Sequence, residues 1–91
     1  MASRIAILRR KVALGRYELT SQAKQEMEQD GFTIQDVKSG IYSGKIAAAQ
    51  RHGQGRRKDI VHGKSESQHG IGIVCRLTEP GTLRVITVFA L

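Results

Sequence analysis

Arg76 and Arg84 stand on either side of the turn sequence TEPGT, each at the turn-proximal end of an apolar run. If those runs pair as an antiparallel hairpin, the two arginines fall nearly opposite each other on one face. Adjacent guanidiniums repel unless an anion lies between them, and the planar fork of Arg matches the oxygens of a phosphate. A second cationic group, RHGQGRRK, sets Arg51, Arg56, Arg57 and Lys58 around two glycines, where a backbone can approach a ligand closely. The same run also suits a solvated hairpin loop. His62 follows Ile60-Val61 and precedes Gly63-Lys64. Nearby cations disfavour an imidazolium, which suits an acid or base acting near neutrality. A polar residue at a strand end is the plainer reading of the same position. His52 and His69 sit in Gly-rich loops and read as surface residues.

These residue types suit an anionic ligand such as a phosphate. The carboxylates are scattered. The single cysteine and three histidines have no zinc-finger spacing. No cofactor is expected, because 91 residues form one domain with little room for a deep cofactor cavity. Fifteen Lys and Arg against eight Asp and Glu give a formal charge of +7, which attracts polyanions and speeds encounter with them. Aromatic residues make up only 4%, so an aliphatic core is expected and a base-stacking platform is not. Cys75, in the run IGIVCRL, reads as a buried, inert thiol in a reducing compartment. No run is long and apolar enough for a membrane span, and Arg9, Arg10 and Lys11 interrupt the start before signal-peptide length. The expected location is cytoplasmic, with no membrane partner.

The elements that must position these groups fall in a clear order. Residues 3–14 place Ile5, Leu8 and Val12 on one helical stripe, with Arg4, Arg9, Arg10 and Lys11 around the wheel, and Gly15 suits the stop. RYEL alternates as a short strand. Thr20 suits the N-cap of a second helix that ends at Gly31. Thr33 and Asp36 resemble a capping box opening a third, with Ile34, Val37 and Ile41 on one stripe. The period then changes. KIAAAQ, RRKDIVHGK, IGIVCRL and LRVITVFAL read as strands, the last three as an antiparallel meander, with Pro80-Gly81 at the centre of a type II turn. In the last strand, strict alternation puts Leu83, Val85, Thr87 and Phe89 on one face and Arg84, Ile86, Val88 and Ala90 on the other. The expected fold is α+β: N-terminal helices packed on one face of a mainly antiparallel, twisted sheet of three to four strands.

GRYELTSQAKQEMEQDGFTIQDVKSGIYSGKI, followed by DIVHGK and LRVITVF, resembles the DUF4258 family of bacterial domains of unknown function. The family pattern is a strand, Leu-Thr-x-His-Ala, a Met, Gly-hydrophobic-Thr and a terminal Val-Ile-Thr-Val strand. The family is in turn similar to the RelE, BrnT and MqsR toxins of type II toxin–antitoxin systems. The resemblance implies a single RelE-like toxin domain over residues 1–91, with a RelE-like or barnase-like fold. It implies a metal-independent RNA endonuclease that blocks translation. The expected partners are RNA, including ribosome-bound mRNA, and an antitoxin encoded next to it. In that scheme His62 is the acid or base, Arg76 and Arg84 clamp the phosphate, and Arg51, Arg56, Arg57, Lys58 and Lys64 assist binding. Ser21 and Gln22 join the RNA-binding set by resemblance. Gln22 stands where the family carries its His, and the chain ends Phe89-Ala90-Leu91 where several RelE-type toxins carry a tyrosine. Both departures support an alternative, a catalytically inactive module that binds RNA or an antitoxin. A third reading has the basic first helix docking an acidic partner.

Overall fold

The computed structural model describes residues 2–52 and 56–91. Three helices precede most of a five-stranded sheet: α1 (Arg4–Ala13), β1 (Tyr17–Leu19), α2 (Ser21–Asp30), α3 (Ile34–Ser43), β2 (Lys45–His52), β3 (Arg56–Lys64), β4 (Gly70–Leu77) and β5 (Leu83–Ala90). The sheet order is β1-β5-β4-β3-β2, antiparallel except for the parallel β1–β5 pair. The fifth strand beyond the expected four arises because the short RYEL segment crosses to the far side of β5. That pairing spans more than sixty residues and has no local signature.

The helix starts follow local chemistry. Ser3, Thr20 and Thr33 are N-caps, their hydroxyls accepting from the Ala6, Ala23 and Asp36 amides. At Thr33 the Asp36 carboxylate also accepts from the cap's own amide at 2.9 Å, completing the capping box. That amide bond, the largest influence on the group, holds the Asp36 carboxyl below the usual range. Gly31 ends α2 in the left-handed region, at φ 73°.

All three helices lie on one face of the sheet. Leu8 and Val12 of α1, Ala23 and Met27 of α2, and Val37 and Ile41 of α3 form one core with Val61, Ile71, Ile73, Cys75, Leu83, Val85 and Val88. The approach of α3 to the sheet is close: a Cβ at Gly63 would collide with the Gly40 carbonyl.

The strict alternation expected for β5 does not hold. Val74 pairs with Thr87 and Cys75 with Val85, so Ile86 is a bulged residue without an opposite partner. The bulge inverts the pattern beyond it. Val88 turns into the core, while Thr87 and Phe89 move to the helix-free face. Thr20 fastens this point: its amide donates to the Val85 carbonyl and its hydroxyl to the Ile86 carbonyl, both at 3.0 Å. The β4–β5 turn is also shifted by one residue from the expected register. The Gly81 amide donates to the Thr78 carbonyl, so Glu79 and Pro80 are the central residues and Gly81 follows at φ 87°.

Candidate nucleic-acid interface

The β3–β4 ladder stops at Asp59–Cys75. The β2–β3 pairing runs on to His52–Arg56, and the β4–β5 pairing runs on to Leu77–Leu83. Beyond Asp59 and Cys75 the sheet therefore forks into two hairpin arms. The fork holds a cleft of about 410 Å³, lined by Arg56 and Arg57 from one arm and by Arg76, Thr78, Glu79 and Arg84 from the other. Arg76 and Arg84, expected nearly opposite each other, are direct cross-strand partners on the helix-free face because the turn is shifted by one residue. Among the described residues neither Arg56 nor Arg76 has an ion-pair partner. Arg84 Nε meets Glu18 Oε1 at 2.8 Å, with both side chains nearly half exposed. An exposed pair of this kind is weak enough for a phosphate to displace.

Arg57 differs from its neighbours. Its Nε donates to Oδ1 of Asp59 at 2.7 Å, and Arg4 of α1 donates to Oδ2 at 2.8 Å. Asp59 is fully buried, so two partly exposed guanidiniums neutralise one interior carboxylate. Arg57 walls the fork and is already committed to this ion pair. Arg4 and Arg9 of the basic first helix also have internal partners: Arg9 donates to the Ile41 and Gly44 carbonyls at 3.3 and 2.9 Å. Behind the fork, Cys75 sits opposite Asp59 in the ladder, buried. Burial, reinforced by the Asp59 charge, pushes its thiol up to about 12, so it stays protonated and unreactive at neutral pH.

His62 is elsewhere. It lies opposite Gly72 on the helix-free face, edge-on to Phe89 with ring centroids 6.3 Å apart. Gly72 lies four positions before Arg76 on β4, roughly 13 Å along the strand. His62 and Lys64 instead share a recess of about 430 Å³ with Lys45, Ser43 and Gly70. The fold thus gathers Arg56, Arg57, Arg76 and Arg84 and leaves His62 and Lys64 at the opposite end of the face. Lys58 neighbours Gln50 on the projecting arm, and exposed Arg51 lies opposite Arg57 there. Gly53, Gly55 and the side chain of His52 lie outside the described residues. Ser21 and Gln22 are exposed in the first turn of α2 and line neither cleft.

Sequence reasoning missed Glu18, Lys45, Asp59, Glu79 and Phe89. Asp59 was discoverable: it shares the strand parity of Val61, so it must point into the core and needs a cationic partner there. Glu18 depends on the β1–β5 pairing and Phe89 on the bulge, and neither has a local signal. Among the described residues no cluster of three His, Cys, Asp or Glu could hold a metal, and no helix is long and apolar enough to cross a membrane.

A family model described as a domain of unknown function (DUF4258) matches residues 19–90. No curated protein and no solved structure matches the chain.

Proposed function

The chain belongs to the DUF4258 family, and from that premise we propose that it is the RNA-acting toxin of a type II toxin–antitoxin pair, holding a phosphodiester in the fork between its two hairpin arms. One observation carries this reading: Arg76 and Arg84 are paired side by side and share a cleft with Arg56. Three guanidiniums converging on one concavity leave a local excess of positive charge that a phosphate neutralises. The order of elements, helices followed by an antiparallel meander, supports a RelE-like or barnase-like ribonuclease domain. The excess of cations over the whole chain supports a polyanionic ligand.

In the hydrolytic form of this reading the ribose 2′-oxygen attacks the adjacent phosphorus. Its proton passes to a base, the bond to the 5′-oxygen breaks, and that oxygen takes up a proton. The products are a 2′,3′-cyclic phosphate and a 5′-hydroxyl. The fork's guanidiniums stabilise the charge that builds on the phosphate oxygens. A base must lie within hydrogen-bond reach of the proton it takes, and His62 is too far from the fork. The titratable groups nearest the clamp are Glu79 and Glu18. The distance of His62, together with Gln22 in the family's His position, favours a second reading in which the fork binds RNA without cutting it.

The test measures RNA binding by fluorescence anisotropy and cleavage in EDTA. Arg76→Ala combined with Arg84→Ala should weaken binding at least ten-fold and lower the single-strand salt slope by about 0.7, the value for one phosphate left unneutralised. Unchanged affinity in that double variant rejects the fork. Cleavage by the wild type that survives His62→Ala and disappears in Arg84→Ala selects the hydrolytic form. Growth arrest on expression, relieved by the neighbouring gene, tests the toxin assignment.

A further inference from the structure

Among the described residues no element covers the sheet face opposite the helices, and its side chains form an ordered series. At one end stand Arg76 and Arg84. Next comes an apolar row, Ile60, Val74 and Thr87, paired across three strands. Ile60 and Val74 are half-buried and do not pack against the helix-side core. The following row is His62, Gly72 and Phe89. The Phe89 ring lies over Gly72, where any Cβ would strike it, with the His62 imidazole edge-on beside it. Exposed Lys45 pairs with His62 at the edge strand, and exposed Lys64 closes the end. Cations thus bound both ends of a surface whose middle is apolar and carries one aromatic ring. Along the strand direction the arginine pair lies four positions, roughly 13 Å, from the row of His62 and Lys45, and six positions, roughly 20 Å, from Lys64.

We infer that this face is a track for single-stranded RNA: one phosphate sits in the arginine fork, the strand crosses the apolar row, a base rests on Phe89 beside His62, and a further phosphate meets Lys45 and Lys64. The inference rests on the reading of the fork given above and extends it from a single anion site to a path and a substrate form. A duplex keeps its bases inside the stack and would offer this face only phosphates, leaving Phe89 and the apolar row without a ligand. An unpaired strand supplies both the charges and the π-faces that the two kinds of surface require. An acidic polypeptide would match the cations but would make no specific use of the ring and imidazole.

The experiment titrates the full chain against fluorescein-labelled decauridylate, tetrauridylate and a blunt RNA duplex of matched charge, with unlabelled polyglutamate as competitor, at several salt concentrations. Decauridylate should bind at least ten-fold more tightly than the duplex and more tightly than tetrauridylate, and should resist polyglutamate. Phe89→Leu should lose about ten-fold in decauridylate affinity, within the range for one stacked base, while Phe89→Tyr keeps it. Lys45→Ala with Lys64→Ala should lower the salt slope by about 0.7, for the one phosphate they share. Equal binding of duplex and single strand, or displacement by polyglutamate at equal charge, overturns the track. So does wild-type behaviour in Phe89→Leu and the lysine pair while the Arg76/Arg84 double variant still binds weakly, a result that leaves the fork intact. Failure of the wild type to bind any RNA removes both readings.

Discussion

Asp59 shows how one buried carboxylate can reassign the cations around it. Its two oxygens take Arg4 and Arg57, so two of the basic residues that look available in the sequence are structural. Across the ladder the same charge reinforces burial in holding the Cys75 thiol protonated up to about 12, against an ordinary value of 9.0. A raised acid pKa in the folded state means that the folded protein binds this proton more tightly than the unfolded chain does. The associated stability is fully present below pH 9 and is lost as pH rises toward 12. Native protein should therefore resist alkylation by iodoacetamide at pH 8 and react fully in denaturant. The fall in urea midpoint between pH 9 and pH 12 should be shallower in Cys75→Ala than in the wild type. Rapid native labelling at pH 8 would show that the thiol is not sequestered.

At the scale of elements, glycine decides how closely α3 approaches the sheet. Gly40 and Gly63 meet backbone to backbone, and a methyl group at Gly63 would overlap the Gly40 carbonyl. Since backbone on an ordered helix cannot yield as a side-chain tip can, Gly63→Ala should cost about 3 kcal/mol, the upper part of the range for overpacking. Chemical denaturation reads this directly, and a loss below a few tenths would mean that α3 is free to lift. The same scale explains what the sequence disclosed. The helices, their Thr caps, the capping box and the β3–β4–β5 meander are local patterns, and each is legible from spacing. The closeness of Arg76 and Arg84 follows from the short turn between them, and the one-residue shift of that turn sets them directly opposite. Side-chain parity in β5 is legible only as far as Val85, because the bulge at Ile86 is set by Thr20, which arrives from a distant part of the chain. Alternation alone consequently puts Phe89 on the wrong face. The separation of His62 from the arginines depends on where the β3–β4 ladder ends. The sequence RRKDIV does not mark that point, because β3 continues past it with a different neighbour.

Over the whole molecule the formal charge is +7, and four arginines gather where the sheet divides, where their mutual repulsion acts against folding. Arg76 and Arg84 face each other directly across β4 and β5, with Arg56 on the opposite wall and Glu18 and Glu79 beside them. Like charges directly opposite in a sheet are destabilising, and the repulsion is screened as salt rises. A fold tuned only for stability would place a β-branched neutral residue at one of these positions. Arg76→Thr should therefore stabilise the free protein by about 0.5 kcal/mol at low ionic strength, within the range for cross-strand pairs. The gain should vanish near 1 M salt, where the screening length falls to about 3 Å. Urea unfolding at the two salt concentrations measures both effects. Destabilisation at low salt would show that Glu18 and solvent already neutralise the fork. A gain confined to low salt, accompanied by loss of RNA affinity, would identify the arginine pair as a feature kept for its ligand at a small cost in stability.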